Sequence, residues 1–203
     1  MDLEQAIRTR RMCRDFSPDP IPGTTLHRLL DLAARAPSAG FAQGLDWLVI
    51  ESEASRRLFF EATSEKAWLA EPGPMSGLLE APVIVVPVGN PGAYVMRYAE
   101  TDKSASDLAA LSPDEWPVPY WTVDASMAVM ALLLAAQDAG LGALFFRLHR
   151  PSSVLLEAFG VPGPREVIGA VALGHPGPGR GPAGSPGRRR RRPLDESVHR
   201  DRW

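Results

Sequence analysis

Cysteine is nearly absent from this chain: Cys13 is the only one in 203 residues. An intrachain disulfide is therefore excluded, and a reducing compartment such as the cytoplasm fits. The four histidines, His27, His149, His175 and His199, are scattered without ligand spacing and have no cysteine partners, so no metal site is expected and each reads as structural or exposed. A GxSxG elbow, a GxGxxG turn and a Walker loop are all missing. The stretch GPGRGPAG is glycine-rich but opens no helix, so it fails the context test for phosphate binding. The longest apolar run, ASMAVMALLLAA at 125–136, lies between Asp124 and Gln137 and is too short to span a bilayer. The opening MDLEQAIRTRR lacks the apolar core of a signal peptide. Charge of one sign is also lacking, with Lys+Arg 22 against Asp+Glu 24 and a net charge of -2. No global field draws the chain to nucleic acid or membrane. A soluble, cytoplasmic protein is expected.

What is present suits one domain with a full-sized core. Leu3, Ala6 and Ile7 repeat at helical spacing, as does TTLHRLLDLAARA at 24–36, where Thr24 or Thr25 is a natural N-cap. DWLVIES reads as a strand and 53–66 as a short helix. APVIVVPVG at 81–89 is a continuous β-branched run, expected of a strand covered on both faces. Residues 90–120 are irregular, with short helices expected around Tyr94–Glu100 and Ser104–Leu111. The helix at 121–139 is apolar nearly all round and must be buried, in the core or at a subunit interface. ALFFRL, PSSVLLEAFG and EVIGAVALG then read as strand, helix and strand. HPGPGRGPAGSPG at 175–187 is a Pro/Gly linker leading to a basic arm at 188–203. The alternation predicts an α+β fold with helices layered on a mixed sheet.

The basic residues are clustered. RTRRMCRDF at 8–16 holds four arginines in seven positions, and RRRRRP closes on Pro193. A run of five arginines alone reads as a solvated tail. Nucleic acid would call for interleaved aromatics, and neither cluster has any. A phosphate monoester instead needs two to four guanidiniums converging on one dianion. The two clusters could converge that way if the tail folds back; spacing alone leaves the choice open.

RTRRMCRDFSPDPIP followed by LLDLAARAPSAGFAQGLDWLVI resembles the opening of the nitroreductase family of flavoproteins. WTVDASMAVMALLLAAQDAGLGA is similar to that family's long central helix, VIGAVALGHP to its last sheet strand and RRRRPLDESVHRDRW to its tail. The resemblance covers nearly all of the chain, and its motifs are specific by their order. It implies a single nitroreductase-like α+β domain over 1–203, a central mixed β-sheet flanked by helices, and FMN as cofactor. Carried over by position, Arg10, Arg11, Met12 and Arg14 stand where phosphate and ribityl contacts arise, with Arg189 and Arg191 as the C-terminal basic pair. Pro37, Ser38, Ala39 and Gln43 match the loop against the flavin ring, usually given by the other subunit of a homodimer. The implied activity is reduction of a small electron-poor molecule, such as a nitroaromatic, quinone or enone, with NAD(P)H by a ping-pong mechanism, without a catalytic side chain. The aromatics Tyr94, Tyr98, Trp116, Tyr120 and Trp121 mark the expected lid, although each alone reads more readily as core.

The chain departs from the family pattern at the ring. Met12 replaces a small polar residue; Phe41 and Gly44-Leu45 replace an asparagine and Pro-Trp; Pro74 and Gly77 stand for an Asn and a Lys. The Gly-Phe pair resembles the flavin-cleaving branch that makes dimethylbenzimidazole, but the aspartate at position 12 and the serine near Arg147 that this branch uses are not present. Two alternatives follow: a flavin-sequestering protein with little turnover, and a basic-tailed interaction protein with no cofactor.

Overall fold

The computed structural model describes residues 1–103, 105–178 and 189–203. Its centre is a five-stranded sheet in the order β1-β2-β5-β3, with β4 pairing beside β5 on β2. The strands are β1 (Leu45–Ile50), β2 (Val83–Gly89), β3 (Gly142–Phe146), β4 (Glu166–Val167) and β5 (Ala170–Gly174). Every ladder is antiparallel. Within one chain the parallel component reduces to a single bridge between Met12 and Ala143.

β2 is buried along its whole length, as its β-branched run requires. Its side chains alternate between two apolar layers. Val83 and Val85 enter the cluster made with α2 (Gly23–Ala33) and α6 (Tyr120–Asp138), through Leu29, Leu132 and Ala136. Ile84, Val86 and Val88 enter the cluster made with α3 (Glu53–Thr63) and α7 (Ser152–Ala158), through Phe59, Phe60 and Leu155. The result is a sheet with helices on both faces, the α+β architecture expected.

Several element boundaries differ from the sequence reading, each for a local reason. α2 begins at Gly23 rather than at a threonine cap, because the Pro22 carbonyl already accepts from the Thr25 and Leu26 amides. The helix expected over 53–66 ends at Thr63; Ser64 turns extended, and the short α4 (Lys66–Ala70) follows. No helix forms over 105–111, where i→i+3 bonds and the Ser106 hydroxyl make successive turns; Ser104 lies outside the described residues. EVIGAVALG splits into β4 and β5 at Gly169, whose φ of 148 admits glycine and where a Cβ would stand 2.6 Å from the Phe146 carbonyl oxygen. α6 reaches 19 residues, longer than its apolar run, so length and composition alone would let it cross a bilayer. It is a core helix on one face, burying Ala125, Ala128, Leu132 and Ala136, while Val123, Met127 and Met130 form an exposed stripe. The expected linker lies mostly outside the described residues.

Candidate functional site

The N-terminal arginines sit where a helix gives way to a chain laced into the sheet. α1 (Leu3–Thr9) is capped by Asp2 and ends at Arg10. Beyond it, Met12 bridges to Ala143 and the Cys13 amide donates to the Ala143 carbonyl at 2.9 Å. The Phe16 amide then donates to Gly77, Ser17 to His175, and Gly177 back to the Asp15 carbonyl. These ties fix the backbone that carries Arg10, Arg11 and Arg14. Arg10 is half-buried, and its Nη1 is shielded from solvent without any hydrogen-bond partner. Arg11 is exposed and donates to the Arg8 and Arg10 carbonyls. Arg14 reaches only the Met12 carbonyl, at 3.5 Å, the outer edge of hydrogen-bond range. Among the described residues none of the three meets a carboxylate, whereas Arg8, Arg35, Arg57, Arg97, Arg165 and Arg192 all do. A buried N–H left unpaired costs about 1–3 kcal/mol, and among the described residues Arg10 Nη1 has no acceptor. Beside them, burial pushes the pKa of the half-buried Cys13 thiol up.

The loop Pro37–Gly44 lies at the other side of the fold, leading into β1. Its backbone is left-handed at Gly40, Phe41 and Gln43, with φ of 60, 58 and 50. For the two non-glycine residues that conformation costs on the order of 1–3 kcal/mol each, so the surroundings must impose it. They do. The Ser38 hydroxyl accepts from the Gln43 amide at 2.9 Å. Asp124, a buried carboxylate on α6, accepts from the Ala39 amide at 2.8 Å and from the Tyr94 hydroxyl at 2.7 Å. Arg97 on α5 (Pro91–Tyr98) donates through Nε to the Gly40 carbonyl at 2.8 Å. Burial, then the bond to Asp124, raises the Tyr94 phenol far above its ordinary range, so it remains a donor. Beside the loop is a cavity of about 460 Å3 lined by Pro37, Ser38, Phe41, Gln43, Tyr94 and Asp124.

The remaining positions fall in two groups. The segments 74–77 and 145–149 meet, since Met75, Phe146, Arg147 and His149 wall one small cavity together with Trp68, which stacks on His149. Gly77 closes against Asp15: a Cβ there would stand 2.8 Å from the Asp15 Cα. Met12 is half-buried and packs against both apolar clusters. Arg189 and Arg191 lie on an arm, 189–203, that is exposed throughout. Among the described residues its hydrogen bonds fall within the arm, and none ties it to the N-terminal arginines. The expected lid aromatics are core: Tyr94, Trp116 and Trp121 are buried edge to face under the loop, with Tyr98 and Tyr120 at the margin. Asp124 and Arg97 escaped the sequence reading. A lone acid inside an otherwise apolar helix was the available signal for the first.

Residues 7–175 match the family model described as Nitroreductase family. The chain belongs to the Nitroreductase family. That makes it an oxidoreductase of a flavin-dependent family. Among curated relatives, a Thermus thermophilus protein named NADH dehydrogenase is 28% identical over 193 residues, covering 87% of each chain. Among solved structures, a putative nitroreductase in complex with FMN from Desulfovibrio desulfuricans superposes with a TM-score of 0.71 at 22% identity, over 100% of this chain and 98% of that one. A gut-bacterial enone reductase, CLA-ER, superposes with a TM-score of 0.75 at 20% identity, over 98% and 97%. These structural likenesses establish the nitroreductase fold. The family's match also spans both segments laced together above, from the arginines to His175.

Proposed function

We propose that the protein is an FMN-dependent NAD(P)H oxidoreductase that works as a homodimer on a small electron-poor acceptor. The observation that carries this is Arg10, with Nη1 buried, unpartnered and flanked by two further arginines that meet no carboxylate. A phosphate dianion is the acceptor this set fits, through charge-assisted N–H···O bonds. When bound, FMN would supply the two-electron redox chemistry of a ping-pong reaction between NAD(P)H and the acceptor. The chain's own part is to bind, orient and exclude water. Arg10, Arg11 and Arg14 hold the phosphate, with Arg189 and Arg191 completing the clamp, and Pro37, Ser38, Ala39 and Gln43 lie against the ring.

Sheet topology supports a second copy. Met12 and its arginines run along β3, whereas the loop Pro37–Gly44 enters β1, and these strands are opposite edges of the order β1-β2-β5-β3. Three strand spacings put roughly 14 Å between them, which favours a loop given by a second copy. The exposed stripe Val123, Met127 and Met130, with Leu3 and Ile7 on α1, gives a partner an apolar surface. The arm's Leu194, Val198 and Trp203, all exposed, need a surface as well.

The purified protein is expected to be yellow and to bind FMN more tightly than riboflavin in calorimetry, with NAD(P)H oxidation driven by a quinone. Equal affinity for FMN and riboflavin overturns the phosphate assignment. FMN binding without turnover favours a flavin-sequestering role, the second reading, which Gly77 closed on Asp15 and Met12 packed into the core support. Cytoplasmic location is part of the same proposal.

A further inference from the structure

We propose that Asp124 and Tyr94 are positioning residues for the ring-facing loop, the buried carboxylate holding Ala39 and Tyr94 on one oxygen so that Phe41 and Gln43 keep their left-handed backbone. The proposal rests on reading Pro37–Gly44 as the flavin contact.

Asp124 is only 5% exposed and has no cation beside it among the described residues. A buried carboxylate with only two donors is a poor choice for stability, since an apolar residue of similar volume avoids the desolvation. Its neighbours on the same face of α6, Ala125, Ala128 and Leu132, show what ordinary packing uses there. What Asp124 adds is direction. Both of its bonds fall on Oδ2, one from the loop backbone and one from Tyr94, whose ring lies under the same loop.

The glycines record how closely the loop is seated. A Cβ at Gly44 would stand 2.5 Å from the Tyr94 ring, and one at Gly40 would stand 2.8 Å from the Tyr98 ring. Two tyrosines of α5 thus form the floor, Asp124 ties the loop to α6, and Arg97 ties it to α5 through Gly40. Arg97 is itself locked by a bidentate pair with Asp102, both contacts at 2.7 Å. The strained turn at Phe41 and Gln43 is therefore held from α5 and α6 as well as by Ser38.

Three variants test this: Asp124→Leu, which keeps the branched shape and removes the acceptor; Asp124→Asn, which keeps an acceptor oxygen; and Tyr94→Phe, which removes one donor. Losing the charge-assisted bond should weaken FMN binding about 10- to 150-fold in Asp124→Leu. The flavin absorption band should shift, and the Ala39 and Gln43 amides should lose protection from hydrogen exchange. Asp124→Asn should recover most of each signal, and Tyr94→Phe should fall between. If Asp124→Leu does not fold, Tyr94→Phe carries the test alone. Wild-type exchange at Ala39 and Gln43 with wild-type flavin affinity, in whichever variant folds, overturns the proposal. Exchange is read without cofactor, so failure of the FMN reading, a protein that never binds flavin, is told apart from failure of this one.

Discussion

The two arginine-bearing ends of this chain are alike in composition and opposite in structure. Arg10–Arg14 rides on a backbone stitched to β3, to Gly77 and to His175–Gly177. Among the described residues, Arg189 and Arg191 ride on an arm whose hydrogen bonds close within 189–203. Preorganisation lowers the ordering cost of binding, so on the proposed reading the N-terminal arginines would define the anion site and the arm would add affinity once a surface, such as that of a second copy, holds it.

The largest effect is expected from removing the recruited half. Ending the chain at Gly187 deletes Arg189 and Arg191, and each charge-assisted contact is worth about 1.5–3 kcal/mol, so FMN affinity should fall by roughly two to four orders of magnitude. The melting temperature of the apo-protein at monomeric concentration should not change, because among the described residues no hydrogen bond joins the arm to the core. Titration of both lengths with FMN, beside thermal unfolding, checks this. Unchanged affinity would make the arm a bystander.

A smaller effect of unusual sign is expected at the preorganised half. Arg10→Met keeps much of the alkyl stem and removes the buried, unpartnered Nη1. FMN affinity should drop about 10- to 150-fold for one charge-assisted contact. The apo-protein should melt at the same or a higher temperature, since an unsatisfied buried donor has gone. A variant that binds normally and unfolds earlier would show that Arg10 is structural.

Much of the scaffold was readable because it depends on short-range patterns. The β-branched run of β2 and the apolar α6 could hardly do anything else, and their burial follows. The arginine segment was readable through its resemblance. The breaks were not. Two elements end where something distant in sequence meets them in space: the Thr63 carbonyl at the end of α3 accepts the His149 and Arg150 amides, and Gly169 presses on the Phe146 carbonyl. The loop shape was hidden for another reason. Glycine at 40 allows a left-handed turn, but Phe41 and Gln43 adopt one only because Asp124, Arg97 and Ser38 impose it from three places in the sequence. Met12, placed among the cofactor contacts by resemblance, also packs against both apolar layers.

The smallest effect separates geometry from mere charge. Within RRRRRP, only Arg189 and Arg191 stand at the spacing from Pro193 assigned to the phosphate. Arg192 is already engaged: its Nη2 donates to the Glu196 carbonyl and its Nε lies 3.6 Å from the Glu196 carboxylate. The turn that joins them, Leu194–Glu196, begins directly after Pro193, so Arg192 shapes the arm and has no free fork to offer an anion. If the arm clamps by geometry, Arg190→Ala and Arg192→Ala should change FMN affinity about fivefold at most, the scale of an exposed charge at 0.2–1 kcal/mol. Arg189→Ala and Arg191→Ala should each cost about tenfold or more. A solvated polybasic arm acts through its summed charge, so it would show four equal losses, all erased together by salt. Four equal, salt-sensitive effects would leave the N-terminal cluster as the whole site and reduce the arm to electrostatic steering. Unequal effects that persist at about 0.5 M salt, where exposed charges are well screened, would place two particular guanidiniums on the phosphate.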